Sequence, residues 1–485
     1  MRSFQRLIVI SNRLPITLSS EDGELRVKPA SGGLVSALEP LLRTSGGYWI
    51  GNPGIDESPG VVDVLGRASQ DQPYGYVPVY LSQQEKEGFY EGFSNSVVWP
   101  LFHDLQSRCN FEPEYWRQYQ LVNEKFAEIA VATGSPSDVI WVQDYQLMLV
   151  GKAARKQKPS ARLAFFLHTP FPGPDIFGKL PWRSQILDGL LEYDLVGFQT
   201  ERDLRNFLSC LRAFLDKVQI VREEDTPVVY YEGRKTYAGA FPISIDFEAY
   251  SRDAGKPLVH SKVAELKRQS SSMKVLLGVD RLDYTKGIPE RIRAFNAYLR
   301  QNRDSLGKVI LCLVVVPSRE AIPEYQRMQE EIERMVASLN GEWGNPGWTP
   351  IVYMRRPVSH EELLAFYRVA DVALVTPLKD GMNLVAKEYC AAKNDAEGVL
   401  ILSEFAGAAA EFDGMALLVN PYDEEGVAET IKRALTMADA ERRNRMRKLR
   451  RQIQRFDLIH WRDSMLSAMR RIPPAELSAS AAAAD

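Results

Sequence analysis

Short runs of branched apolar residues recur along this chain and constrain its fold more than any other feature. Each run is bounded by turn or polar residues, which is typical of strands buried on both faces of a parallel sheet. Amphipathic stretches such as Pro289–Asn302 and Glu361–Ala370 separate several of the runs. Strand, crossover helix, strand is the repeat of α/β proteins, so the sequence predicts the α/β class. The predicted strands are Leu7–Ile10, Val139–Val142, Leu163–Leu167, Leu195–Phe198, Val275–Val279, Val309–Val316, Ile351–Tyr353, Val372–Thr376, Val399–Leu402 and Ala416–Val419.

The predicted strands fall into two groups, which indicates two Rossmann-like domains. A hairpin-like segment near Val228–Tyr231 and a polar stretch at residues 251–272 separate the groups, and we place the boundary near Asp246. The expected domains are residues 1–246 and 247–457, facing each other across a cleft of the kind that ligands prefer. A helix over residues 458–472 can cross back to the N-terminal domain, and the small-residue tail at 473–485 is expected to be disordered.

Composition argues against several other classes of protein. The formal net charge of the 485 residues is −3, so no basic field attracts nucleic acid or anionic lipid. The longest apolar run, Val309–Val316, is far shorter than the ~20 residues of a membrane span, and no signal-peptide pattern opens the sequence. We therefore expect a cytoplasmic homo-oligomer whose partners are small molecules.

Metal and cofactor motifs are missing from the sequence. The four cysteines and five histidines are scattered, with no C-x-x-C or H-E-x-x-H, and no D-x-D occurs. Neither G-x-G-x-x-G nor a P-loop is found, which disfavours a dehydrogenase and an ATPase. We expect no bound metal and no cofactor.

Polar and charged residues follow six of the predicted strands. Ligands of open α/β sheets bind at the carboxyl ends of the strands, so these residues predict a binding site. For any single loop, an ordinary polar turn explains the residues better, but six such loops favour a site. The segments are Ser11-Asn12-Arg13, Gln143-Asp144-Tyr145, His168-Thr169-Pro170, the stretch 280–287, Pro317-Ser318-Arg319 and the stretch 379–383.

The stretch 280–287 has the chemistry of a diphosphate site. It brings Arg281 and Lys286 into one loop before a helix, where guanidinium, ammonium and free amides all favour anions. Gly287 permits a tight turn. The plainer interpretation is a salt-bridged surface loop that uses the neighbouring carboxylates of Asp280, Asp283 and Glu290.

The stretch after the predicted strand at 372–376 suits a nucleotide sugar. Gly381 lets backbone amides approach a ligand closely, and Asp380 can accept hydrogen bonds from sugar hydroxyls. Glu388, in the helix that follows, can accept from both hydroxyls of a ribose. The alternatives are a helix N-cap for Asp380 and an ordinary surface charge for Glu388.

Several segments together resemble the trehalose-6-phosphate synthase family of retaining glycosyltransferases, whose architecture is GT-B. The matches extend from about Leu7 to Trp461, and the segment at 376–389, TPLKDGMNLVAKEY, is highly specific. The other matching segments are Ile10–Arg13, Ser31–Leu34, Phe93–Pro100, Phe166–Pro172, Gly197–Thr200, Arg281–Gly287 and Pro317–Arg319.

The resemblance implies a role for each matching residue. Catalysis would involve Arg281, Lys286, His168 and Asp144. The nucleotide-glucose donor, expected to be UDP-glucose, would be bound by Gly33, Asp380, Met382, Asn383, Leu384, Val385 and Glu388. The acceptor, glucose 6-phosphate, would be bound by Arg13, Tyr90, Trp99 and Arg319.

Two of the acceptor arginines lie far apart in the sequence. Arg13 and Arg319 belong to different predicted domains, so they can meet at one phosphate only if the domains close over it. Tyr90 offers a hydroxyl and Trp99 a flat apolar wall for a hexose. Without the arginines, both aromatic residues would be better explained as core.

The chain departs from the pattern of the family at three positions. The family usually has H-D-Y-H where this chain has Gln143-Asp144-Tyr145-Gln146, and glycine where Ser244 stands. Because Asp144 is retained, these departures bear on the choice of donor more than on the reaction.

The reaction that the resemblance implies needs stabilisation of a leaving diphosphate and an oxocarbenium-like sugar. Arg281 and Lys286 would supply the positive charge that a metal supplies elsewhere. The acceptor hydroxyl would attack from the side of the leaving group, deprotonated by the donor phosphate, while His168 hydrogen-bonds the donor sugar. A lone histidine after a strand is otherwise more often structural.

Three alternatives stay open on the sequence alone. A related glucosyltransferase could use another phosphorylated acceptor, such as glycerol 3-phosphate. A catalytically silent sugar-phosphate sensor could retain the same fold, and a turnover assay separates it from an enzyme. An oxidoreductase on the same sheet would show an NAD(P)H-linked absorbance change.

We predict that activity does not depend on a divalent metal, because the sequence has no D-x-D and Arg281 and Lys286 would supply the positive charge for the diphosphate. Turnover in EDTA should equal turnover in magnesium. Activity that EDTA abolishes and magnesium restores would show that the diphosphate site is wrongly assigned.

Overall fold

The chain forms two compact α/β units in a computed structural model. The structure describes residues 6–21, 24–29, 33–70, 72–224, 226–270, 273–319 and 322–472. The first unit comprises Met1–Pro242 with Trp461–Asp485, and the second comprises Ile243–His460. The tail expected to be disordered, at 473–485, lies outside the described residues.

The first unit is built on a nine-stranded sheet of order β5-β4-β1-β6-β7-β8-β11-β10-β9. The strands from β5 to β11 in this order are parallel, and β10 and β9 are antiparallel to their neighbours. A separate hairpin is formed by β2 and β3. The strands are β1 (Leu7–Arg13), β2 (Ile16–Glu21), β3 (Glu24–Pro29), β4 (Gly47–Asn52), β5 (Tyr74–Pro78), β6 (Val139–Gln143), β7 (Arg162–Phe166), β8 (Leu195–Phe198), β9 (Gln219–Glu223), β10 (Thr226–Tyr231) and β11 (Arg234–Ala240).

The second unit is built on a six-stranded parallel sheet of order β14-β13-β12-β15-β16-β17. Its longest apolar run becomes β13, of which seven of eight residues are buried, as expected for a strand covered on both faces. The strands are β12 (Lys274–Arg281), β13 (Val309–Val316), β14 (Ile351–Met354), β15 (Val372–Val375), β16 (Val399–Ser403) and β17 (Leu417–Val419).

Helices connect the strands in both units. Those of the first are α1 (Gly33–Ser45), α2 (Pro59–Gln70), α3 (Gln83–Glu85), α4 (Trp99–Phe102), α5 (Pro113–Thr133), α6 (Val150–Gln157), α7 (Pro174–Phe177), α8 (Arg183–Leu190) and α9 (Glu201–Phe214). Those of the second are α10 (Phe247–Asp253), α11 (Pro257–Gln269), α12 (Ile288–Gln301), α13 (Pro323–Trp343), α14 (His360–Val369), α15 (Leu384–Ala392), α16 (Ala409–Phe412), α17 (Glu424–Leu435) and α18 (Asp439–Arg455). The last helix is α19 (Leu458–Arg471), and within the described residues no helix is both long and apolar enough to cross a bilayer.

The predicted α/β class is confirmed, and every strand expected from an apolar run is present. The strands β4 and β5 were not expected, because glycine, proline and aromatic residues interrupt their apolar pattern. The strands β2, β3 and β9 were not expected from the sequence either. The hairpin-like segment at Val228–Tyr231 is part of β10, which pairs antiparallel with β11. Glycines at 88 and 92 lie in a π-helical segment, Lys86–Val98, that runs directly into α4.

Trp461 of α19 completes the core of the first unit. Only 1% of its surface is exposed, and its ring lies 5.3 Å from Trp141 and 5.3 Å from Phe166. Further along the helix, Arg162 of β7 donates to the carbonyl of Met469 at 2.8 Å. This end of α19 is therefore held to the sheet by both packing and hydrogen bonding.

We predict that Trp461→Ala destabilises the protein by about 3–5 kcal/mol, because it leaves a large cavity beside Trp141. The matched control is Ile459→Ala, two residues away on a side chain that is 53% exposed, with an expected change within about 0.5 kcal/mol. Urea denaturation followed by far-UV circular dichroism measures both. Equal midpoints for the two variants would contradict this account of the core.

Candidate active site

A cavity of about 500 Å³ lies in the first unit, where β1 and β6 end. Two residues predicted for the site, Arg13 and Asp144, share its wall although they are far apart in the sequence. The wall also includes Ser11, Asn12, Leu14, Ile16, Thr17, Leu34, Val35, Pro53, Gly54, Gln143 and Gln146. The strand ends thus line a pocket and bring polar side chains to it, as the α/β pattern predicts.

Arg13 is exposed and held from one side. Its Nη1 donates to Oδ1 of Asn52 at 3.1 Å, and the same oxygen accepts from the backbone of Gly54 at 2.8 Å. Gly54 has φ +84, and a Cβ there would lie 2.6 Å from Arg13 Nη1. Glycine at 54 therefore leaves the space that the guanidinium occupies.

Asp144 and His168 are joined where β6 and β7 end. Asp144 has φ 71 and ψ 170, a backbone conformation that costs a non-glycine residue about 1–3 kcal/mol. Its amide donates to the carbonyl of Phe166 at 2.8 Å, and its Oδ1 accepts from the backbone of His168 at 3.1 Å. The strained turn thus holds the backbone of His168.

The His168 ring is uncharged at neutral pH. Burial lowers the pKa of the ring to about 3, and its Nε2 lies 2.9 Å from Oε1 of Gln143. The rings of Phe166 and Trp461 lie 4.7 and 6.4 Å from the imidazole. His168 can thus form hydrogen bonds with a ligand as a neutral group.

Tyr90, Trp99 and Gly33 lie in helical segments of the first unit. Tyr90 is partly exposed on the π-helical segment, whereas Trp99 at the start of α4 is only 6% exposed. The Trp99 ring packs 4.2 Å from His103 and 5.6 Å from Tyr145, so most of it belongs to the core. Gly33 is the first residue of α1.

In the second unit, Lys286 forms an ion pair with Asp380. Lys286 Nζ lies 2.6 Å from Asp380 Oδ2, and the two side chains are 10% and 15% exposed. Asn383 also donates to this oxygen, at 3.1 Å. Residues 94 positions apart in the chain are thereby brought into one site where β12 and β15 end.

Three cations surround the buried carboxylate of Asp283. Burial raises its pKa, but the charges of Arg319, Lys286 and Arg281, in that order, together hold the pKa below its usual value. Arg319 Nη1 lies 3.5 Å from Asp283 Oδ2 and donates to the hydroxyl of Tyr325 at 2.5 Å. Arg281 is exposed at the end of β12.

The carboxylates on either side of Asp283 are engaged elsewhere. Asp280 pairs with the fully buried Arg291 at 2.5 Å, and Glu290 pairs with Arg293 at 2.7 Å. The loop is therefore salt-bridged at Asp283, but as a buried carboxylate rather than as part of a surface turn. In the part of the chain that the structure describes, no three His, Cys, Asp or Glu side chains are grouped as metal ligands.

The helix α15 begins at this cluster of charges. Asn383 is its N-cap, with φ 73, and its Oδ1 accepts from Ala386 at 3.3 Å. The first amides of a helix lack intrahelical partners, so those after Met382 suit an anion or a sugar oxygen. A Cβ at Gly407 would lie 1.9 Å from the carbonyl of Gly381, so Gly407 permits the close packing of this loop.

Glu388 of α15 is partly buried rather than a solvated surface charge. Burial raises the pKa of its carboxyl, although hydrogen bonds from Tyr367 and Tyr250 act to lower it. Tyr367 donates to Glu388 Oε2 at 2.8 Å. The anchored carboxylate can accept hydrogen bonds from the two hydroxyls of a ribose.

Some of the predicted site residues thus form one group in each unit, whereas no described contact joins Gly33 or Tyr90 to either group. The first joins Arg13, Asp144 and His168 by hydrogen bonds or a shared cavity, and the second joins Arg281, Lys286, Arg319, Asp380 and Asn383, with Glu388 on the helix that follows. Sequence reasoning missed the residues that support these groups, because no motif marks Asn52, Gly54, Tyr250, Tyr325 and Tyr367.

A comparison with protein families and curated relatives matches almost the whole chain. The model of glycosyltransferase family 20 matches residues 5–471. The trehalose-6-phosphate synthase of Mycolicibacterium gilvum is 44% identical over 468 residues, which cover 95% of this chain and 93% of that protein.

Solved structures show the same similarity. A trehalose-6-phosphate structure from E. coli, bound with UDP-2-fluoro glucose, is 35% identical with a TM-score of 0.87, covering 97% of this chain and 100% of the other. An α,α-trehalose-phosphate synthase (UDP-forming) from Burkholderia xenovorans, in complex with glucose-6-phosphate, is 33% identical with a TM-score of 0.86 and covers 96% and 100%.

We predict that the ring of His168 does not titrate between pH 5.5 and 8, because burial lowers its pKa to about 3. NMR of the histidine ring protons, assigned by comparison with His168→Gln, measures this. A free histidine has a pKa near 6.5, so a chemical-shift change centred there would contradict the neutral site.

Proposed function

The chain belongs to glycosyltransferase family 20, and we propose that it transfers glucose from UDP-glucose to glucose 6-phosphate, with retention of configuration. The products are trehalose 6-phosphate and UDP. The observation that carries the proposal is the ion pair of Lys286 and Asp380 at the start of α15, which combines a cation for the diphosphate with a carboxylate for the sugar. Similar proteins hold UDP-2-fluoro glucose and glucose-6-phosphate.

We assign donor binding mainly to the second unit. Arg281 and Lys286 bind the diphosphate, together with the amides at residues 382–385. Asp380 accepts hydrogen bonds from the glucose hydroxyls, and Glu388 accepts hydrogen bonds from the ribose hydroxyls. Tyr367 fixes the Oε2 of Glu388 by a hydrogen bond of 2.8 Å. Gly33, Asp144 and His168 of the first unit contribute the remaining donor contacts.

We assign the acceptor to Arg13, Tyr90, Trp99 and Arg319. Two guanidinium groups suit a phosphate dianion through forked hydrogen bonds. Arg13 keeps a second nitrogen for the ligand while Nη1 is bonded to Asn52. Trp99 contributes only the small exposed part of its ring, and Tyr90 contributes its hydroxyl.

The chemical step breaks the bond from glucose C1 to the diphosphate and forms a bond from C1 to O1 of the acceptor. The proton of the acceptor hydroxyl passes to an oxygen of the leaving diphosphate, on the same side of the sugar. Negative charge grows on that diphosphate in the transition state, so Arg281 and Lys286 interact with it most strongly there. His168 binds the donor sugar as a neutral group.

We also propose a cytoplasmic location. All four cysteines are free thiols and three of them are buried, as is usual in a reducing compartment.

The proposed reaction is tested by a matrix of nucleotide-glucose donors against phosphorylated acceptors, with release of the nucleoside diphosphate as the readout. We expect the highest kcat/KM for UDP-glucose with glucose 6-phosphate. Preference for glycerol 3-phosphate would favour the related glucosyltransferase, and no turnover with any pair would favour a silent sensor.

We predict that Lys286→Ala lowers kcat about a hundredfold and changes the KM for UDP-glucose much less, because the ammonium group stabilises charge that develops in the transition state. The control is Lys308→Ala, which removes an exposed lysine of the same unit. Its kcat and KM should equal those of the wild type. A raised KM with unchanged kcat would show that Lys286 only anchors the bound donor.

We predict that Arg13→Ala and Arg319→Ala each lower the affinity for glucose 6-phosphate about ten- to hundredfold, since a charge-assisted hydrogen bond contributes roughly 1.5–3 kcal/mol. Hydrolysis of UDP-glucose without acceptor should be nearly unchanged. Because Arg319 also faces buried Asp283, the melting temperature of its variant is measured alongside.

The matched controls are Arg43→Ala and Arg327→Ala, which remove exposed arginines that pair with Glu39 and Glu324 on their own helices. If the Arg13 and Arg319 variants kept their affinity for glucose 6-phosphate but lost affinity for UDP-glucose, the acceptor pocket would be wrongly assigned.

A further inference from the structure

Gln143 is a buried residue of the first unit whose hydrogen bonding is half complete. It ends β6, has no exposed surface, and its Oε1 lies 2.9 Å from Nε2 of His168. Its own Nε2 is buried and has no hydrogen-bond partner among the described residues. An unsatisfied buried amide costs about 1–3 kcal/mol, so a purely structural role does not explain glutamine at this position.

Gln143 and Asp144 hold the same histidine from two sides. Asp144 accepts from the backbone of His168 at 3.1 Å, while Gln143 contacts its ring. Phe166 packs against the ring edge-on, with centroids 4.7 Å apart. Two consecutive residues at the end of β6 therefore fix both the position and the hydrogen bonding of His168.

The chemistry of the amide determines where the His168 proton lies. An amide oxygen only accepts hydrogen bonds, so the ring nitrogen that faces it carries the proton. Since the ring is neutral, the other nitrogen, Nδ1, has a lone pair and no proton. No described residue donates to His168 Nδ1. The histidine is partly exposed, and its two partners Gln143 and Asp144 both line the cavity of the first unit.

We propose that Gln143 is a positioning residue, which holds His168 as the Nε2–H tautomer so that Nδ1 accepts a hydrogen bond from a hydroxyl of the donor sugar. A histidine at position 143 could either donate or accept, and would leave both tautomers accessible. With its amide oxygen facing Nε2, Gln143 makes Nδ1 the accepting nitrogen of the His168 ring. Only the last step, the contact with the sugar, rests on the function proposed above.

The tautomer is measured without substrate. Long-range proton–nitrogen NMR of the histidine rings distinguishes a protonated Nε2 from a protonated Nδ1, with His168→Gln giving the assignment. We expect only the Nε2–H form in the wild type and a mixture in Gln143→Met, which keeps the volume but removes the acceptor. A wild-type ring with its proton on Nδ1, as an amide donating to a bare Nε2 would produce, overturns the proposal.

The second measurement is the pH profile of Gln143→Glu. A carboxylate facing Nε2 adds to that of Asp144, the other acidic group beside His168, and raises the pKa of the ring; Phe166 and Trp461 carry no charge. The protonated ring would donate from Nδ1 instead of accepting. We therefore expect kcat/KM for UDP-glucose in Gln143→Glu to fall as the pH is lowered, with a slope that approaches tenfold per pH unit. The wild type should not show this additional loss of kcat/KM at low pH.

The outcomes separate this proposal from the proposed function. A wild-type pH profile in Gln143→Glu overturns the role of Gln143. The matched control is Gln118→Glu, the same change at another buried glutamine, whose pH profile should stay that of the wild type. Absence of turnover in the wild type would overturn the glucosyltransferase instead, while the NMR result would still decide the tautomer.

Discussion

The burial of parallel strands on both faces determines where this protein can carry out chemistry. A strand such as Val309–Val316 has no room for a functional side chain along its length, because helices cover both sides of the sheet. The polar groups that build the candidate site lie at or beyond the strand ends. Every residue group of the candidate site follows from this constraint, since Arg13, Asp144 and His168 end or follow strands of the first unit, and Arg281 and Arg319 do so in the second.

The nearly buried cations at the strand ends of the second unit are paired with carboxylates. Bringing an ion out of water costs several kcal/mol unless it is paired, and Lys286 is nearly buried. Asp380 pairs with Lys286, and Asp283 pairs with Arg319. Asp283 also accepts from the backbone and the hydroxyl of Thr285 at 3.0 and 2.9 Å. A diphosphate can therefore meet cations that are already oriented, which is how a preorganised site lowers a barrier.

Much of the fold was predictable from the sequence, because most strands of the two main sheets contain a continuous apolar run. The strands β4 and β5 were not, since Gly47, Gly51 and Pro78 break their pattern and the sheet supplies the missing stability. The site loops were also predictable as strand ends. The pairing of Lys286 with Asp380 was not, since it depends on how far-apart segments pack.

The roles of individual residues came from the resemblance rather than from residue chemistry. Position alone would not have distinguished His168 from a structural histidine, and the departure at Gln143 gave no sign that its amide contacts that ring. For Trp99 the resemblance and the structure point to different roles. The motif implies a contact with the acceptor, whereas the ring of Trp99 lies largely in the core. Those roles stay predictions.

The proposed reaction is a glucosyl transfer with retention of configuration, in which cationic side chains stabilise the negative charge of the leaving diphosphate. The most direct test is NMR of the product formed from UDP-glucose, whose glucose is α-linked, and glucose 6-phosphate. The account predicts an α-configured new bond, with the small coupling constant of an equatorial anomeric proton, in trehalose 6-phosphate. A β-configured product would contradict it, because inversion requires attack from the opposite face.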